Sequence, residues 1–444
     1  MVIDKRQRRP KVVIIGGGFG GLYAAKALAG KPVDVTLVDR KNHHTFQPLL
    51  YQVATAVLSP GEIASPLRRI LYRAKNVEVI LGEAVGIDTG ARRVRLNDDA
   101  ELEYDYLIVA AGARHAYFGH DDWEANAPGL KTIEDSVEIR RRILLAFEVA
   151  ERQAYFTGKH DPLIFAVIGG GPTGVELAGA IADIARRAMA SDFKAIDTTK
   201  ARVILFEGLP RILVMFPEEL SQKAREQLEE LGVEVRTDSM VTAIEPGRIK
   251  VGDDWIDTSV TLWATGVAAS PLGKLLGAEV DKAGRVLIAP DLSLPGHPEI
   301  FVIGDMASLT DVAGKPVPGL GAAAMQQGRA AAANILRDLN GEKRAGFRYK
   351  DKGTMATIGR HKAVALIGSL KLSGLLAWLM WAFVHIFLLI GFRNRLMVMR
   401  EWAWAYFTRE RSARLITGYT DVEGNKPGMV EAEAAKVSKS EVKG

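Results

Sequence analysis

Apolar positions in this chain form short unbroken runs over its first two thirds and one long run near its C-terminal end. Val12-Val13-Ile14-Ile15 and Ile164-Phe165-Ala166-Val167-Ile168 are too short for core helices and lack polar alternation, the pattern of strands buried on both faces of a parallel sheet. Each opens at once into a glycine loop, Gly16-Gly17-Gly18-Phe19-Gly20-Gly21 and Gly169-Gly170-Gly171-Pro172-Thr173-Gly174. Small-residue helices are predicted to follow, over 22–29 and 175–190. A second strand over 33–38 ends at Asp39 and Arg40, and its counterpart over 202–206 ends at Glu207. Two further strands end in small residues, Ala110-Ala111-Gly112 and Ala264-Thr265-Gly266, where a ligand can approach the backbone closely. Residues 131–156 read as a charged helix with an apolar stripe at Val137, Ile139, Ile143, Leu144, Phe147 and Ala150. A helix over 218–231, strands over 233–236, 248–251 and 260–263, and an alanine-rich helix over 319–339 after Val302-Ile303-Gly304-Asp305 complete this part. The fold class is α/β, with two Rossmann-like dinucleotide-binding domains and a C-terminal apolar and amphipathic helical region.

Both loops carry Gly at their first, third and sixth positions. A strand, such a loop and a helix together aim backbone N–H groups and a helix N-terminus at a pyrophosphate. Two sites of this kind, each with a later acidic residue, point to electrons passing between two bound dinucleotides. Asp39 is placed to hold ribose hydroxyls, although a plain turn residue would look the same. Glu207 favours NADH, because a carboxylate repels the 2′-phosphate of NADPH. Arg211, four residues on, works the other way.

The apolar run over 372–392 reaches about 30 Å if helical, enough to span a bilayer, dip into it or lie flat on it. Arg360, Lys362 and Lys371 precede it and Arg393, Arg395 and Arg400 follow, so charge sets no orientation. Over 396–407, Trp402, Trp404 and Tyr406 alternate with arginines, which suits a membrane interface or a helical hairpin in a dimer. The tail after Gly418 is polar and expected to be disordered.

With 444 residues there is room for two or three domains. The formal net charge of +5 is concentrated in two clusters. Lys5, Arg6, Arg8, Arg9 and Lys11 read as a solvated tail. Arg393, Arg395, Arg400, Arg409, Arg411 and Arg414 flank apolar sequence and suit anionic lipid. No secretory signal is visible. The absence of cysteine excludes disulfides, thiolate metal sites and electron exit from a flavin through a cysteine pair. Neither a metal nor a nucleic-acid partner is expected. His297 and His361 read as surface residues, while His385 sits inside the apolar run.

Several segments are more specific: 44–54 (His44 through Gln47 and Tyr51 to Ala54), 169–176, Gln326-Gln327-Gly328, 353–359 and 391–395. On these, from about residue 11 to about 416, the chain resembles the type II, single-chain NADH dehydrogenases among the two-dinucleotide-binding-domain flavoproteins. The resemblance implies FAD at Gly16, Gly18, Gly21, Asp39, Arg40, Gln47, Ala111, Gly112, Gly304 and Asp305. It implies NADH at Gly169, Gly171, Thr173, Gly174, Glu207, Thr265 and Gly266. Glu176 matches a glutamate proposed to handle protons near nicotinamide and flavin, although a first-turn acid also suits a helix dipole. Gln326 and Gln327 match a glutamine pair near flavin and quinone. Gly321-Ala322 stands where the family often has Ala-Gln, which implies a slightly roomier or less polar quinone pocket. Arg360 or Lys362 falls near the expected quinone entrance.

The implied organisation is an FAD domain over 1–120 and 290–345, an NADH domain over 121–289, a membrane-associated region over 346–417 and a tail over 418–444. The implied activity is non-electrogenic NADH:quinone oxidoreduction with ubiquinone or menaquinone, at the cytoplasmic face of the inner membrane, with a homodimer possible. One short apolar segment is too little for a proton-pumping relay. The rival readings are a soluble flavoprotein reductase serving an iron–sulfur protein, against which the apolar run argues, and a non-catalytic FAD/NADH redox sensor.

Overall fold

The computed structural model describes residues 8–408, 411 and 413–417. Lys5, Arg6, Arg409 and the tail over 418–444 lie outside the described residues. Two compact units form, each from three chain segments. Unit 1 comprises Met1–Thr45, Ala64–Arg114 and Val267–Lys352, and unit 2 comprises Phe46–Ile63, His115–Gly266 and Gly353–Gly444.

Along the chain, β1 (Lys11–Ile15) turns into α1 (Phe19–Leu28), and β2 (Asp34–Asp39) follows. After the short α2 (Leu50–Ala54) come β3 (Val77–Leu81) and β4 (Tyr106–Val109). The long α3 (Ile133–Thr157) leads to β5 (Ile164–Ile168), α4 (Pro172–Asp183), β6 (Arg202–Phe206), β7 (Val233–Arg236) and β8 (Val260–Trp263). Then come β9 (His297–Val302), α5 (Gly321–Leu339), β10 (Thr354–Gly359), β11 (Lys362–Ile367), β12 (Leu370–Ser373), α6 (Gly374–Leu388) and α7 (Phe392–Thr408).

In unit 1 the sheet runs β9-β4-β1-β2-β3, all parallel, with a short antiparallel edge strand, Ser293–Leu294, beside β9. In unit 2 it runs β7-β6-β5-β8, again parallel. The strands that open each glycine loop, β1 and β5, lie centrally, which explains why they are apolar on both faces. The alanine-rich sequence of α5 has a packing cause: a Cβ on Gly328 would come 2.2 Å from the Gly20 oxygen of α1, so the two helices touch backbone to side. In the same way a Cβ on Gly179 of α4 would come 1.8 Å from the Ile358 oxygen of β10.

Most predicted elements appear with shifted ends. α1 starts three residues earlier than expected and includes part of the glycine loop. α4 starts at Pro172, whose fixed φ and missing N–H suit a first helical position, and then passes into a single π turn, Ile184–Ala188. α3 is set by a reciprocal capping box of Thr132 and Asp135 and stops at Gly158, which is left-handed at φ 72°.

The apolar run over 372–392 does not form the single long helix that spanning, one of the three arrangements left open, would need. Its first residues belong to β12, and α6 is only 15 residues long, which is about 22 Å. The chain then bends at Gly391, with φ 94°, into the separate α7. Among the described residues, no helix is long and apolar enough to cross a membrane.

Candidate functional site

The two glycine loops are built alike. Gly16 and Gly169 have φ of 101° and 111°, values that other residues rarely take. Their amides reach across to the second strand, Gly16 N–H to Val38 O and Gly169 N–H to Phe206 O, both at 2.8 Å. The sixth-position glycines lock the turn: a Cβ on Gly21 would lie 1.9 Å from Gly16 O, and one on Gly174 would lie 1.8 Å from Gly169 O. The third-position glycines differ. Gly18 and Gly171 cap α1 and α4, no side chain caps either helix, and nothing lies within 4 Å of a Cβ placed on them. Uncapped helix N–H groups beside open space are what a pyrophosphate requires, so both loops fit a dinucleotide.

The acidic residues repeat the correspondence. In unit 1, Asp39 Oδ2 accepts from Gly17 N–H at 2.5 Å and its Oδ1 accepts from Lys41 N–H at 2.7 Å. In unit 2, Glu207 Oε2 accepts from Gly170 N–H at 2.6 Å and its Oε1 accepts from Leu209 N–H at 2.9 Å. A carboxylate held this way keeps lone pairs for the two hydroxyls of a ribose. Arg211 does not offset Glu207, since it donates to the Phe216 and Val214 oxygens at 2.8 and 3.1 Å.

The other expected positions are distributed as follows. Arg40 is exposed in unit 1, whereas Gln47 is exposed at the start of a 3-10 turn in unit 2. Ala111 and Gly112 follow β4 in unit 1, with Gly112 at φ 69°. In unit 2, Thr173 lies in the first turn of α4, and Thr265 packs so closely on Gly169 that a Cβ there would meet it at 2.7 Å. Gly266 follows at φ 71°. In unit 1, Gly304 and Asp305 open a 3-10 turn beyond β9. Gln327, buried on α5, accepts the Gly304 N–H at 2.7 Å through Oε1. Gln326 donates to the Ala322 and Lys350 oxygens at 3.2 and 3.0 Å and accepts the Lys350 N–H at 3.0 Å. Both glutamines therefore hold main chain together in unit 1, while Glu176 belongs to unit 2.

Within unit 2, Glu176 opens on a partly open cavity of about 100 Å³. Its walls are aromatic: Tyr51 from α2, Trp378 and Trp381 from α6, and Trp402 and Tyr406 from α7. Trp381 lies tilted against Trp402 with ring centroids 5.4 Å apart and stacks on His385 at 4.4 Å. Gln52 ties two of the walls together, accepting from Trp402 Nε1 at 2.7 Å and donating from Nε2 to the Tyr51 hydroxyl at 2.8 Å. A buried ion pair closes one side, where Arg411 donates to Asp183 at 2.6 Å and to the Thr55 and Ala180 oxygens at 2.5 and 3.3 Å.

Burial pushes the Glu176 carboxyl up to about 8, partly countered by a hydrogen bond from the Thr357 main chain. The Tyr51 hydroxyl is pushed well above its usual value, first by burial and then by the nearby Glu176 charge. Both groups therefore hold their protons at neutral pH. His385, lowered to about 4 by burial, is neutral, with Nδ1 2.7 Å from the Trp381 oxygen.

Sequence reasoning placed Glu176 but missed most of its companions. Tyr51, Gln52, Thr357, Trp378, Trp381 and Asp183 had no assigned role, and Arg411, expected to suit anionic lipid, is instead buried against Asp183. His361, expected at the surface, is half-buried and lines the cavity, with ring centroids 5.3 Å from Trp378 and 4.9 Å from Tyr406. It sits at the β10–β11 turn with φ 63°, a conformation periodicity does not reveal. His297 lies near the surface, 3.6 Å from Glu299. Arg360 donates to the Ala405 and Tyr406 oxygens at 2.7 and 2.5 Å, and Lys362 pairs with Glu230. The aromatic composition of 372–407 and the Tyr-Gln pair were the signals available in the sequence.

Two dinucleotide-type loops, each with its ribose-directed carboxylate, define a pyridine-nucleotide flavoprotein oxidoreductase. Accordingly, residues 10–328 match the family model for pyridine nucleotide-disulphide oxidoreductases, and residues 352–410 match the NDH2 C-terminal domain. The type II NADH:quinone oxidoreductase NdhA of Mycobacterium tuberculosis is 45% identical over 92% of this chain and 90% of its own length. A second enzyme of that organism, the type II NADH:quinone oxidoreductase Ndh, is 44% identical over 92% of this chain and 91% of its own. The solved structure of NDH2 from Plasmodium falciparum in complex with NADH shares the fold at a TM-score of 0.82 and 20% identity, covering 93% of this chain and all of that one. The chain belongs to the type II NADH:quinone oxidoreductase family, whose cofactors are FAD and NADH.

Proposed function

We propose that unit 1 holds FAD, unit 2 holds NADH, and the aromatic cavity of unit 2 takes the ring of a membrane quinone. The implied domains, FAD over 1–120 and 290–345, NADH over 121–289 and membrane-associated over 346–417, differ from these units, because 46–63 and 115–120 fall in unit 2 and 267–289 and 346–352 in unit 1. The cavity carries the reading. Indole and phenol faces suit a flat conjugated ring, and a protonated carboxyl lies in the same wall.

FAD bound in unit 1 would accept the two electrons of a hydride and release them to the quinone. The α1 N-terminus would receive its pyrophosphate and Asp39 its adenosine ribose, and the Gly304-Asp305 turn, braced by Gln327, lies two strands away at the same edge of the sheet as the glycine loop. The α4 N-terminus and Glu207 do the same for NADH. Atom balance sets the task of Glu176. NADH delivers one hydride, quinol carries two hydrogens, and one further proton must be supplied. Glu176 holds one at neutral pH, in the wall of the aromatic cavity.

The quinone would arrive from a bilayer. Leu375, Leu379, Phe383 and Phe387 recur every fourth residue along α6 and are exposed, as are Phe392, Leu396, Met399 and Trp404 on α7. Such a face, flanked by Arg393 and Arg400, suits in-plane attachment to one leaflet, which we place at the cytoplasmic face of the inner membrane. It also disfavours a soluble reductase serving an iron–sulfur protein.

Anaerobic titration tests the proposal. Purified chain should carry flavin, NADH should bleach it, and a short-chain quinone should restore it within the turnover time. Bleaching that quinone does not reverse points to a sensor or to a protein acceptor, and protein without flavin refutes the reading of the first loop.

A further inference from the structure

The hydrogen bonds among Trp402, Gln52 and Tyr51 run in one direction only. An indole N–H donates and never accepts, so the Gln52 atom 2.7 Å from Trp402 Nε1 must be the carbonyl oxygen Oε1. The amide nitrogen is then turned toward Tyr51, whose hydroxyl oxygen accepts from it at 2.8 Å. With that lone pair engaged, the Tyr51 proton cannot be given to Gln52 and must point elsewhere. Two of the three residues are buried, Tyr51 at 7% and Gln52 at 6% exposure, so water does not randomise the arrangement. Thr357 is the neighbour within reach of the Tyr51 hydroxyl, and its own hydroxyl lies 3.3 Å from the Gly359 and Lys362 oxygens. The Thr357 hydroxyl is thus engaged with main chain beside Tyr51. A carbonyl oxygen entering the cavity would meet the Tyr51 O–H, since Tyr51 and Trp402 both line that cavity.

We propose that Tyr51 is a hydrogen-bond donor to one carbonyl of the bound quinone, with Gln52 and Trp402 as positioning residues that aim its O–H. The inference rests on the quinone reading of the cavity and adds a direction to it. A donor kept neutral by burial holds the carbonyl equally well before and during reduction and does not compete for the proton that Glu176 supplies. It also makes recognition depend on α7, because Trp402 reaches Gln52 across 350 residues of sequence. Fixing both amide ends costs the free cavity little, since the entropy of orienting Tyr51 is spent in folding rather than in binding.

The test uses full-length holoprotein in detergent, with a short-chain quinone as acceptor and the rate of flavin bleaching by NADH as internal reference. Tyr51→Phe removes one hydrogen bond to the ligand and should raise the quinone KM about tenfold while lowering kcat less than twofold. Trp402→Phe keeps an aromatic ring but frees the Gln52 amide to turn, so that Tyr51 can donate to it, and the quinone KM should rise about threefold. Once Tyr51 is Phe there is no proton left to aim, so the double variant should match Tyr51→Phe alone. Gln52→Met, of similar length and without hydrogen-bonding groups, breaks the same chain and checks the result if Trp402→Phe folds poorly. A quinone KM within twofold of wild type in Tyr51→Phe overturns the inference, and so do effects that multiply in the double variant. Failure of the underlying reading looks different: the unsubstituted chain would then bleach with NADH and never be reoxidised by quinone.

Discussion

Glu176→Gln keeps the shape and the hydrogen-bonding capacity of the side chain and removes its titratable proton. With the carboxyl pushed up to about 8 by burial, the unsubstituted chain is protonated about ten to one at pH 7 and ionised about ten to one at pH 9. The rate at which quinone reoxidises the NADH-reduced protein should therefore be flat below about pH 8 and fall about tenfold per unit above it. Stopped-flow recovery of flavin absorbance at fixed quinone isolates this step from NADH binding. The Gln variant should be slower by about 10²-fold or more, the usual worth of a positioned proton donor, with the break gone from its profile. The same group has a stability signature. Its folded value lies above the ordinary 4.5, so its stabilising contribution is fully present below about pH 4.5 and is lost as pH rises through about 8. Full expression of that step amounts to about 5 kcal/mol; because the cavity is partly open, screening by water reduces the expectation to about 2 kcal/mol. Thermal melts of the Gln variant should lack this slope. A wild-type rate without a break between pH 6 and 10, or a Gln variant that keeps the break, refutes the proton role.

Gly21→Ala would place a Cβ 1.9 Å from the Gly16 oxygen, and the protein should purify without flavin absorbance while unit 2 still binds NADH by fluorescence titration. Glu207→Gln removes the charge opposing a 2′-phosphate and should narrow the NADH-over-NADPH preference in kcat/KM by about tenfold or more. Arg411→Met leaves Asp183 buried with only the half-exposed Arg187 at 3.2 Å, so denaturant unfolding should show a loss of about 3 kcal/mol, partly recovered by adding Asp183→Leu. Phe383→Asp with Phe387→Asp, two exposed residues one turn apart, should release the chain from lipid vesicles in a flotation assay while a water-soluble quinone is still reduced.

The glycine loops and the strands that feed them were legible because their causes are local. A central parallel strand must be apolar on both faces, and the loop's first and sixth positions leave no room for side chains, while the third borders the open space a pyrophosphate would fill. Helix ends were less legible: α4 gained a turn from Pro172 and a π turn from its C-terminal neighbours, neither of which alters hydrophobic period. The long apolar run misled for a related reason. Hydropathy does not register that Leu372 pairs with Ala365 in a sheet or that Gly391 turns the backbone. The aromatic cavity was nearly invisible, since its walls come from residues 51–57, 176–183, 357–361, 378–381 and 402–411. No window of sequence holds more than a few of them. Gln326 and Gln327 show the converse, a motif readable in sequence whose side chains turn out to hold main chain.

The ties from Trp402 to Gln52 and from Arg411 to Thr55 join residues 350 and 356 positions apart. During synthesis, the glycine loops of both units can close as soon as their own strands have emerged, while the cavity must wait for nearly the last described residues. A nascent chain could thus acquire its nucleotides before it acquires a place for quinone. A half-made chain, still lacking α7, lacks Trp402 and Tyr406 and with them part of the cavity wall.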